Sequence, residues 1–362
     1  MTDAPAYFSA DDLRGFTTDI FLAHGLSADD AMLVAGCLVQ ANLRGVDSHG
    51  VSRIPVYAER LRRKLVEPRP DIRIDRVATA AASVDGGGGM GFVVGTRAMA
   101  EAMAIATDHG VGLASVRRST HFGAAATYVL QAIERKFMSL VFTNASPAMP
   151  VWGGRAPFLG SSPFAAGAPG GETGPFILDM ATTVTARGKL RLAGQRGEPI
   201  AEGLALDAEG RPTTDGTKAA EGGVVLPFGG VKGAGVSMLM EIFGGLFSGA
   251  AFAGEVANLF QDFSKPQNVG HFFLAIRPDL FMSMDAFEQR MDTLVERAKA
   301  CPRAEGFDEI LIPGEPESRM YERRSKTGIP VSPDVVSALE AEAEAVGTAM
   351  PSAANAPLVE AV

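Results

Sequence analysis

The hydrophobic period of this chain changes at Pro68 and Pro70, and that break limits what it can fold into. Ahead of it, Leu13, Phe16, Ile20 and Phe21, then Met32, Leu33, Ala35, Leu38 and Val39, recur at the spacing of one helix face. Ser9 before Asp12, and Ser27 before Asp30, set a hydroxyl three residues ahead of an acid, the pattern of a helix start. The first 65 residues therefore read as three helices.

Beyond the prolines, Ile72 to Val84 alternates apolar and polar residues with β-branched content, which is strand character. Gly91 to Asp108 then reads as a helix, Val111 to Val116 as a strand, Gly123 to Arg135 as a helix and Phe137 to Thr143 as a strand. That order predicts helices packed on a sheet. Residues 144–175 are rich in Gly, Pro, Ser and Ala and read as loops between short strands, the kind of segment that borders ligand sites. Later strands are expected at Phe176 to Asp179, His271 to Ile276 and Glu309 to Ile312, with Ser283 capping a helix that runs to about Lys299. Val236 to Phe252 is apolar apart from Glu241 and approaches the roughly 20 residues of a membrane span. Its glycines and its isolation in the chain favour a buried central helix instead.

A formal charge of -9 leaves no general basic field for a phosphodiester backbone, so nucleic acid is not an expected partner. Cys37 and Cys301 have no CxxC partner, and no HExxH or clustered His/Cys set occurs, so neither a disulfide framework nor a metal site is expected. The start of the sequence has no basic segment followed by an apolar run, and the expectation is a cytoplasmic protein, with no membrane partner.

Five histidines are candidates for proton transfer. His24 and His109 precede glycine at helix ends, and His271 opens a strand; structural roles account for all three. His49 lies in Arg44-Gly45-Val46-Asp47-Ser48-His49-Gly50-Val51-Ser52-Arg53, followed by Tyr57 and Arg60 in one expected helix. At about 100° per residue, Arg53, Tyr57 and Arg60 fall roughly 40°, 80° and 20° round from His49, on a single stripe. A proton donor beside guanidinium forks is what reduction of a 2-oxo acid requires. A solvated helix face paired with Asp47 and Glu59 has the same spacing.

His121 lies in Ser119-Thr120-His121-Phe122-Gly123-Ala124-Ala125, between a strand and a helix. Small residues there would let a phosphate or a nicotinamide carboxamide approach the helix amides, although a plain turn reads the same way. Gly86 to Gly91 formally satisfies GxGxxG, with Arg117 and Arg118 after the next strand, but a four-glycine run meets that pattern almost automatically. Lys232, flanked by glycines but outside any P-loop pattern, could hold a phosphate or ribose as a point charge. Pro313-Gly314-Glu315 reads as a rigid turn.

Together, GVDSHGVSR (45–53), THFGA (120–124), TNASP (143–147), LDMATTVTARGK (178–189), Lys232-Gly233, NVGHFFLAI (268–276) and Pro313-Gly314-Glu315 resemble the malate/L-lactate dehydrogenase-like oxidoreductases, in family order from about residue 10 to 340. That family includes sulfolactate and ureidoglycolate dehydrogenases, 2,3-diketogulonate reductase and reductases of cyclic imino acids. The resemblance implies an NAD- or NADP-dependent enzyme acting on a small 2-hydroxy or 2-oxo acid. A reductase of cyclic 2-imino acids, or a nicotinamide-binding protein without turnover, is the alternative.

The resemblance also implies that His49 is the proton donor, supported by Ser48, with Arg53 holding the substrate carboxylate; some members have been read with the equivalent of His121 in the catalytic role. Nicotinamide contacts would fall on His121, Phe122, Gly123, Ala124, Ala125, Ser146, Asp179, Met180, Ala181, Lys232, Gly314 and Glu315. It further implies an α/β (α+β), non-Rossmann fold with a largely antiparallel mixed sheet flanked by helices, and a helical domain formed from both chain ends. The glycine run then becomes a structural turn. The expected division is 1–70 helical, 71–280 nicotinamide-binding, 281–345 packing on the helical domain and 346–362 a mobile tail. A homodimer with active sites near the interface is implied as well. Lys64 and Glu67 stand where a glycine and an asparagine are common, and Leu204 where a tryptophan is frequent.

Overall fold

The computed structural model describes residues 4–354 and Pro357. A helical layer opens it: β1 (Ala6–Phe8), α1 (Ala10–Ala23), α2 (Ala28–Leu43) and α3 (Ile54–Arg62). Ser9 and Ser27 cap α1 and α2, accepting from the amides of Asp12 at 3.0 Å and Asp30 at 3.2 Å. The spacing predicts one helix through His49 and Arg60, but the structure divides it. Asp47–His49 and Val51–Arg53 are two separate 3-10 turns, broken at Gly50, and α3 starts only at Ile54. Lys64, at the position where glycine is common, has a φ of 57°, in the left-handed region that favours glycine.

Next come β2 (Arg73–Ala78), β3 (Ala81–Asp85), α4 (Gly91–His109), β4 (Val111–Ser119), α5 (Ala126–Glu134) and β5 (Met138–Thr143). β6 (Pro147–Met149), β7 (Leu159–Gly160), β8 (Phe164–Ala168) and β9 (Phe176–Met180) follow. A small unit is then built from α6 (Arg187–Arg196), β10 (Ala205–Leu206), β11 (Pro212–Thr213), α7 (Gly216–Ala220) and β12 (Val224–Val225), around Leu190, Ala205, Ala219 and Val225. The chain continues through α8 (Val231–Glu241), β13 (Val269–Ile276), α9 (Met284–Lys299), α10 (Glu315–Thr327), β14 (Ile329–Val331) and α11 (Pro333–Val346).

Seven strands form the main sheet in the order β2-β3-β4-β13-β5-β8-β9. Only β3 and β4 run parallel, so the sheet is largely antiparallel and is not of the doubly wound dinucleotide type. α4 and α5 cover one face over a core that includes Val84, Val94, Met99, Val116, Tyr128, Val141 and Phe273. The Gly86–Gly91 run is a turn filled by its own neighbours. A Cβ on Gly86 would meet Arg118 O at 2.9 Å, one on Gly89 would meet Pro70 at 2.5 Å, and one on Gly91 would meet Thr120 O at 2.3 Å. Those glycines bring the α4 start against the His121 segment.

Both chain ends enter the helical layer: β14 pairs antiparallel with β1, and Leu339 and Ala343 of α11 join Phe16, Ile20, Leu38 and Ile54 in one core. The expected C-terminal part is not uniform, however. α9 lies beside the β8–β9 turn, where Asp292 accepts from the amides of Glu172 and Thr173, each at 3.0 Å. Residues 347–354 of the expected tail are held as well, since Tyr7 and Ala354 exchange backbone hydrogen bonds of 2.8 and 2.9 Å. The rest of that tail, Pro357 excepted, lies outside the described residues. Glu309 to Ile312 forms no strand; β9 instead donates one bond to the segment after it, from Ile177 N–H to Pro313 O.

The apolar segment from residue 236 corrects the expectation of a buried helix. Gly233, Ala234, Ser237 and Met240 face inward, whereas Leu239, Ile242, Leu246 and Phe247 are exposed. α8 ends at Glu241 and passes into a π-helical turn at Ile242–Leu246. No described helix is long and apolar enough to cross a membrane.

Candidate active site

Two turns meet in front of α3. The first carries His49, and it is held from two sides. Arg324 of α10 donates to both carboxylate oxygens of Asp47, at 2.6 and 3.0 Å, and Asn42 Nδ2 donates to the same group at 2.7 Å. Asn42 Oδ1 accepts from Val51 N–H at 2.8 Å, so one amide side chain braces both 3-10 turns. A Cβ on Gly50 would lie 2.0 Å from that oxygen, which is why the histidine is followed by glycine. Ser48 Oγ lies 3.0 Å from His49 Nδ1.

The second turn follows β4. His121 N–H donates to Gln267 Oε1 at 3.2 Å, and Gly123 N–H donates to His121 Nδ1 at 3.3 Å. Tyr57 Oη is 2.7 Å from the same nitrogen. Because a backbone amide can only donate, Nδ1 is an acceptor, the Tyr57 hydroxyl donates to it, and the neutral ring carries its proton on Nε2. The His49 and His121 rings stack with centroids 5.7 Å apart and planes 20° apart.

Arg53 completes this corner. Its Nε donates to Ser48 O, its guanidinium lies 4.5 Å from the Phe260 ring centroid, and its two terminal amino groups make no hydrogen bond among the described residues. Desolvation, and then repulsion from Arg53, push His49 down to about 4. Burial, followed by His49 and Arg53, holds His121 well below the usual imidazole range. Both rings are therefore neutral at pH 7 in the ligand-free protein.

The stripe expected of His49, Arg53, Tyr57 and Arg60 is divided. Tyr57 reaches His121. Arg60, 1% exposed, donates instead to Leu259 O, Asp262 O and Lys265 O at 3.2, 2.9 and 3.3 Å, anchoring the loop that supplies Phe260 and Gln267. The break at Gly50 removes the helical phase on which the stripe depends.

Several of the expected nicotinamide contacts collect near His121. Phe122 is buried, Gly123 has a φ of 78°, and Ala124 and Ala125 lead into α5. Asp179, at the end of β9, accepts from Ala126 N–H at 2.8 Å and so caps α5, next to half-buried Met180 and exposed Ala181. Crowding by protein, only partly offset by the α5 amides and Arg44, raises Asp179 to about 6. With that carboxyl at the helix start, a phosphate does not fit there. Ser146 is half-buried beyond β5, and exposed Lys232 on α8 has no side-chain partner among the described residues. Gly314 packs against Ile177 of β9, and Glu315 pairs with Lys299 at 2.6 Å and accepts from Ile312 N–H. No contact joins Ser146, Lys232 or Glu315 directly to the histidines among the described residues.

Asn42, Arg324, Gln267 and Phe260 escape sequence reasoning: Asn42 because it closes α2 without a motif of its own, the other three because they reach the site only through tertiary packing. A cleft of about 350 Å³ lined by Arg69, Arg73, Asp85, Gly87 and Arg118 lies at the glycine turn and includes none of the histidines. Among the described residues no group of His, Cys, Asp and Glu is arranged to hold a metal.

Comparison with known proteins shows the family of the chain. The profile of the malate/L-lactate dehydrogenase family matches residues 8–340. The L-sulfolactate dehydrogenase of Methanocaldococcus jannaschii is 38% identical over 325 residues, 89% of this chain and 92% of that one. The malate dehydrogenase of Pyrococcus horikoshii is 36% identical over 344 residues, covering 93% and 94%. The solved structure of the M. jannaschii sulfolactate dehydrogenase superposes with a TM-score of 0.90 over 95% of this chain and 98% of that one, at 35% identity. The chain therefore belongs to the malate/L-lactate dehydrogenase family of oxidoreductases.

Proposed function

We propose that the protein transfers a hydride between a nicotinamide cofactor and C2 of a small 2-hydroxy or 2-oxo acid, with His49 as the general acid and base. The observation that carries this reading is the stacking of His49 on His121 beside the unfilled guanidinium fork of Arg53. Arg53 would hold the substrate carboxylate by two parallel charge-assisted hydrogen bonds. An anion seated there offsets the Arg53 repulsion that adds to desolvation in lowering His49, so binding of the acid shifts the His49 pKa upward. Ser48 sits against Nδ1 and orients the ring. Fixed by Tyr57 and Gly123 with Nε2–H outward, His121 presents a neutral hydrogen-bond donor to the same space.

The nicotinamide, when bound, supplies or accepts the hydride. Its carboxamide end fits the small residues from Gly123 to Ala125 and the ends of β5 and β9, at Ser146 and from Asp179 to Ala181. Lys232 is an exposed cation for its ribose or phosphate, and the turn at Gly314 borders β9. Arg60 acts as the anchor of the 257–267 loop. The exposed row Leu239, Ile242, Leu246 and Phe247 supports self-association into a homodimer, because an apolar row of this size on α8 and its π-turn has no cover among the described residues.

Steady-state assays with NADH and NADPH against pyruvate, oxaloacetate, sulfopyruvate and pyrroline-2-carboxylate test the reading through nicotinamide absorbance. Turnover of the open-chain oxo acids is the expected result. Turnover of the cyclic imine alone makes the protein an imine reductase, and tight cofactor binding without any turnover makes it a binding protein.

A further inference from the structure

His271 lies at the centre of the sheet, on β13, and is fully buried. Its neighbours there are the aromatic core residues Phe122 and Phe273, and a leucine would fill the same space with no polar atoms to satisfy. Instead, Nδ1 lies 2.7 Å from Thr143 Oγ1 and Nε2 lies 2.8 Å from Ser119 Oγ. Thr143 Oγ1 in turn donates to Gly270 O at 3.0 Å, so its hydrogen is taken and Nδ1–H donates to it. Ser119 Oγ–H then donates to Nε2. Every donor in the chain has a close acceptor in this arrangement; the reverse one would leave the Ser119 hydroxyl only Thr120 O at 3.5 Å.

The placement of these partners matters more than their satisfaction. β13 lies between β4 and β5, antiparallel to both. Ser119 is the last residue of β4, and Thr120-His121 leave the sheet immediately after it. Thr143 is the last residue of β5, and Asn144-Ala145-Ser146 leave after it. One imidazole thus ties together the two strand ends from which the His121 turn and the Ser146 loop depart.

The ring also acts through its face. Phe122 stacks on it with centroids 4.5 Å and planes 6° apart, and Tyr128 stacks on Phe122 at 4.8 Å and donates its hydroxyl to Phe122 O at 2.7 Å. Phe122 is the residue next to His121, so its orientation limits where the His121 ring can lie.

We propose that His271 is a positioning residue, a clamp that joins the ends of β4 and β5 and thereby holds the His121 turn and the Ser146 loop in one arrangement for the bound nicotinamide and acid. The proposal rests on the reading of those two loops as active-site walls, and it concerns their order in the free protein as well. A neutral, doubly hydrogen-bonded imidazole suits this task because it links two hydroxyls in opposite directions within one plane, which no apolar residue can do.

Two measurements on His271→Phe, which keeps the stacked ring and removes both links, test it. Hydrogen exchange of the cofactor-free protein should be faster by about tenfold or more in peptides covering residues 119–126 and 143–147, and unchanged in β2 and β3. Turnover should fall by about tenfold or more with the KM for the acid within about twofold, as expected when reacting groups are misplaced rather than lost. His271→Gln, whose amide can still reach Ser119, should recover part of both effects.

Unchanged exchange in the two loops overturns the clamp, whatever the turnover. Faster exchange with unchanged turnover leaves the clamp standing and overturns the assignment of those loops to the active site. If His271→Phe does not fold, Ser119→Ala, which leaves the imidazole in place, decides: faster exchange in residues 119–126 supports the clamp and unchanged exchange overturns it.

Discussion

Tyr57 Oη lies 2.7 Å from His121 Nδ1, although 64 positions separate the two residues. The contact joins the helical layer to the sheet, and the Tyr57 hydroxyl donates to the nitrogen that the Gly123 amide already marks as the acceptor. Tyr57→Phe keeps the ring packed against Phe92 and removes only the hydroxyl. Turnover should fall by about tenfold, in line with loss of one buried hydrogen bond, while the melting temperature moves by only a few degrees. Steady-state kinetics and calorimetry on the one variant check both halves.

The two histidines should separate by pH. His49 titrates at about 4 in the free protein because desolvation and Arg53 disfavour its charged form. kcat/KM for reduction of a 2-oxo acid should therefore fall steadily as pH rises from about 5 to 8, since the free enzyme must supply a protonated His49. Oxidation of the hydroxy acid uses the neutral ring and should be flat over the same range. His49→Ala should lower turnover by roughly a hundredfold or more with cofactor binding intact; wild-type turnover in that variant would transfer the role to His121.

Arg53 and Arg60 should fail in different ways. Arg53→Ala is expected to raise the KM for carboxylate substrates by about tenfold or more with little change in melting temperature. Arg60→Ala leaves three loop carbonyls without their donor and should cost about 2–5 kcal/mol in a denaturant titration. A raised KM and unchanged stability for Arg60→Ala would restore it to the substrate side.

Asp179 caps α5 while its own charge is disfavoured. Asp179→Asn keeps an acceptor for Ala126 N–H and removes that charge, so stability at pH 7 should hold or rise. Asp179→Ala should cost about 1 kcal/mol through loss of the cap. Thermal melts of the two variants side by side give the comparison.

Acid stability should depend on His271. Burial lowers it to about 3, below its ordinary 6.5, so the unfolded chain takes up a proton before the folded one does. The stability tied to its neutral form is complete above about pH 6.5 and is lost as pH falls from there through about 3. Melting temperature against pH should be flatter over that window in His271→Phe than in the wild type.

Much of the architecture is legible in the chain itself. The serine caps of α1 and α2 need only local residues, and the change of hydrophobic period at Pro68 marks the step from helix layer to sheet. The short motifs around His49 and His121 identify both halves of the candidate site. The apolar run after Val236 misleads because composition records how much of a helix is apolar but not which neighbour covers it. Arg60 misleads for a related reason: helical phase holds only while the helix is unbroken, and the close approach of Asn42 to Gly50, from outside the segment, is what breaks it.

The sequence by itself determined most of the helices and sheet strands, and the motifs that mark the family, because each depends on residues close together along the chain. Tertiary structure alone decided that His49 stacks on His121, that Tyr57 reaches His121, that Arg324 holds the first turn, and that His271 bridges two strand ends. Those relations depend on distances of a few ångströms between segments tens to hundreds of residues apart, and hydrogen-bond strength falls away too steeply with distance for any spacing in the sequence to encode it.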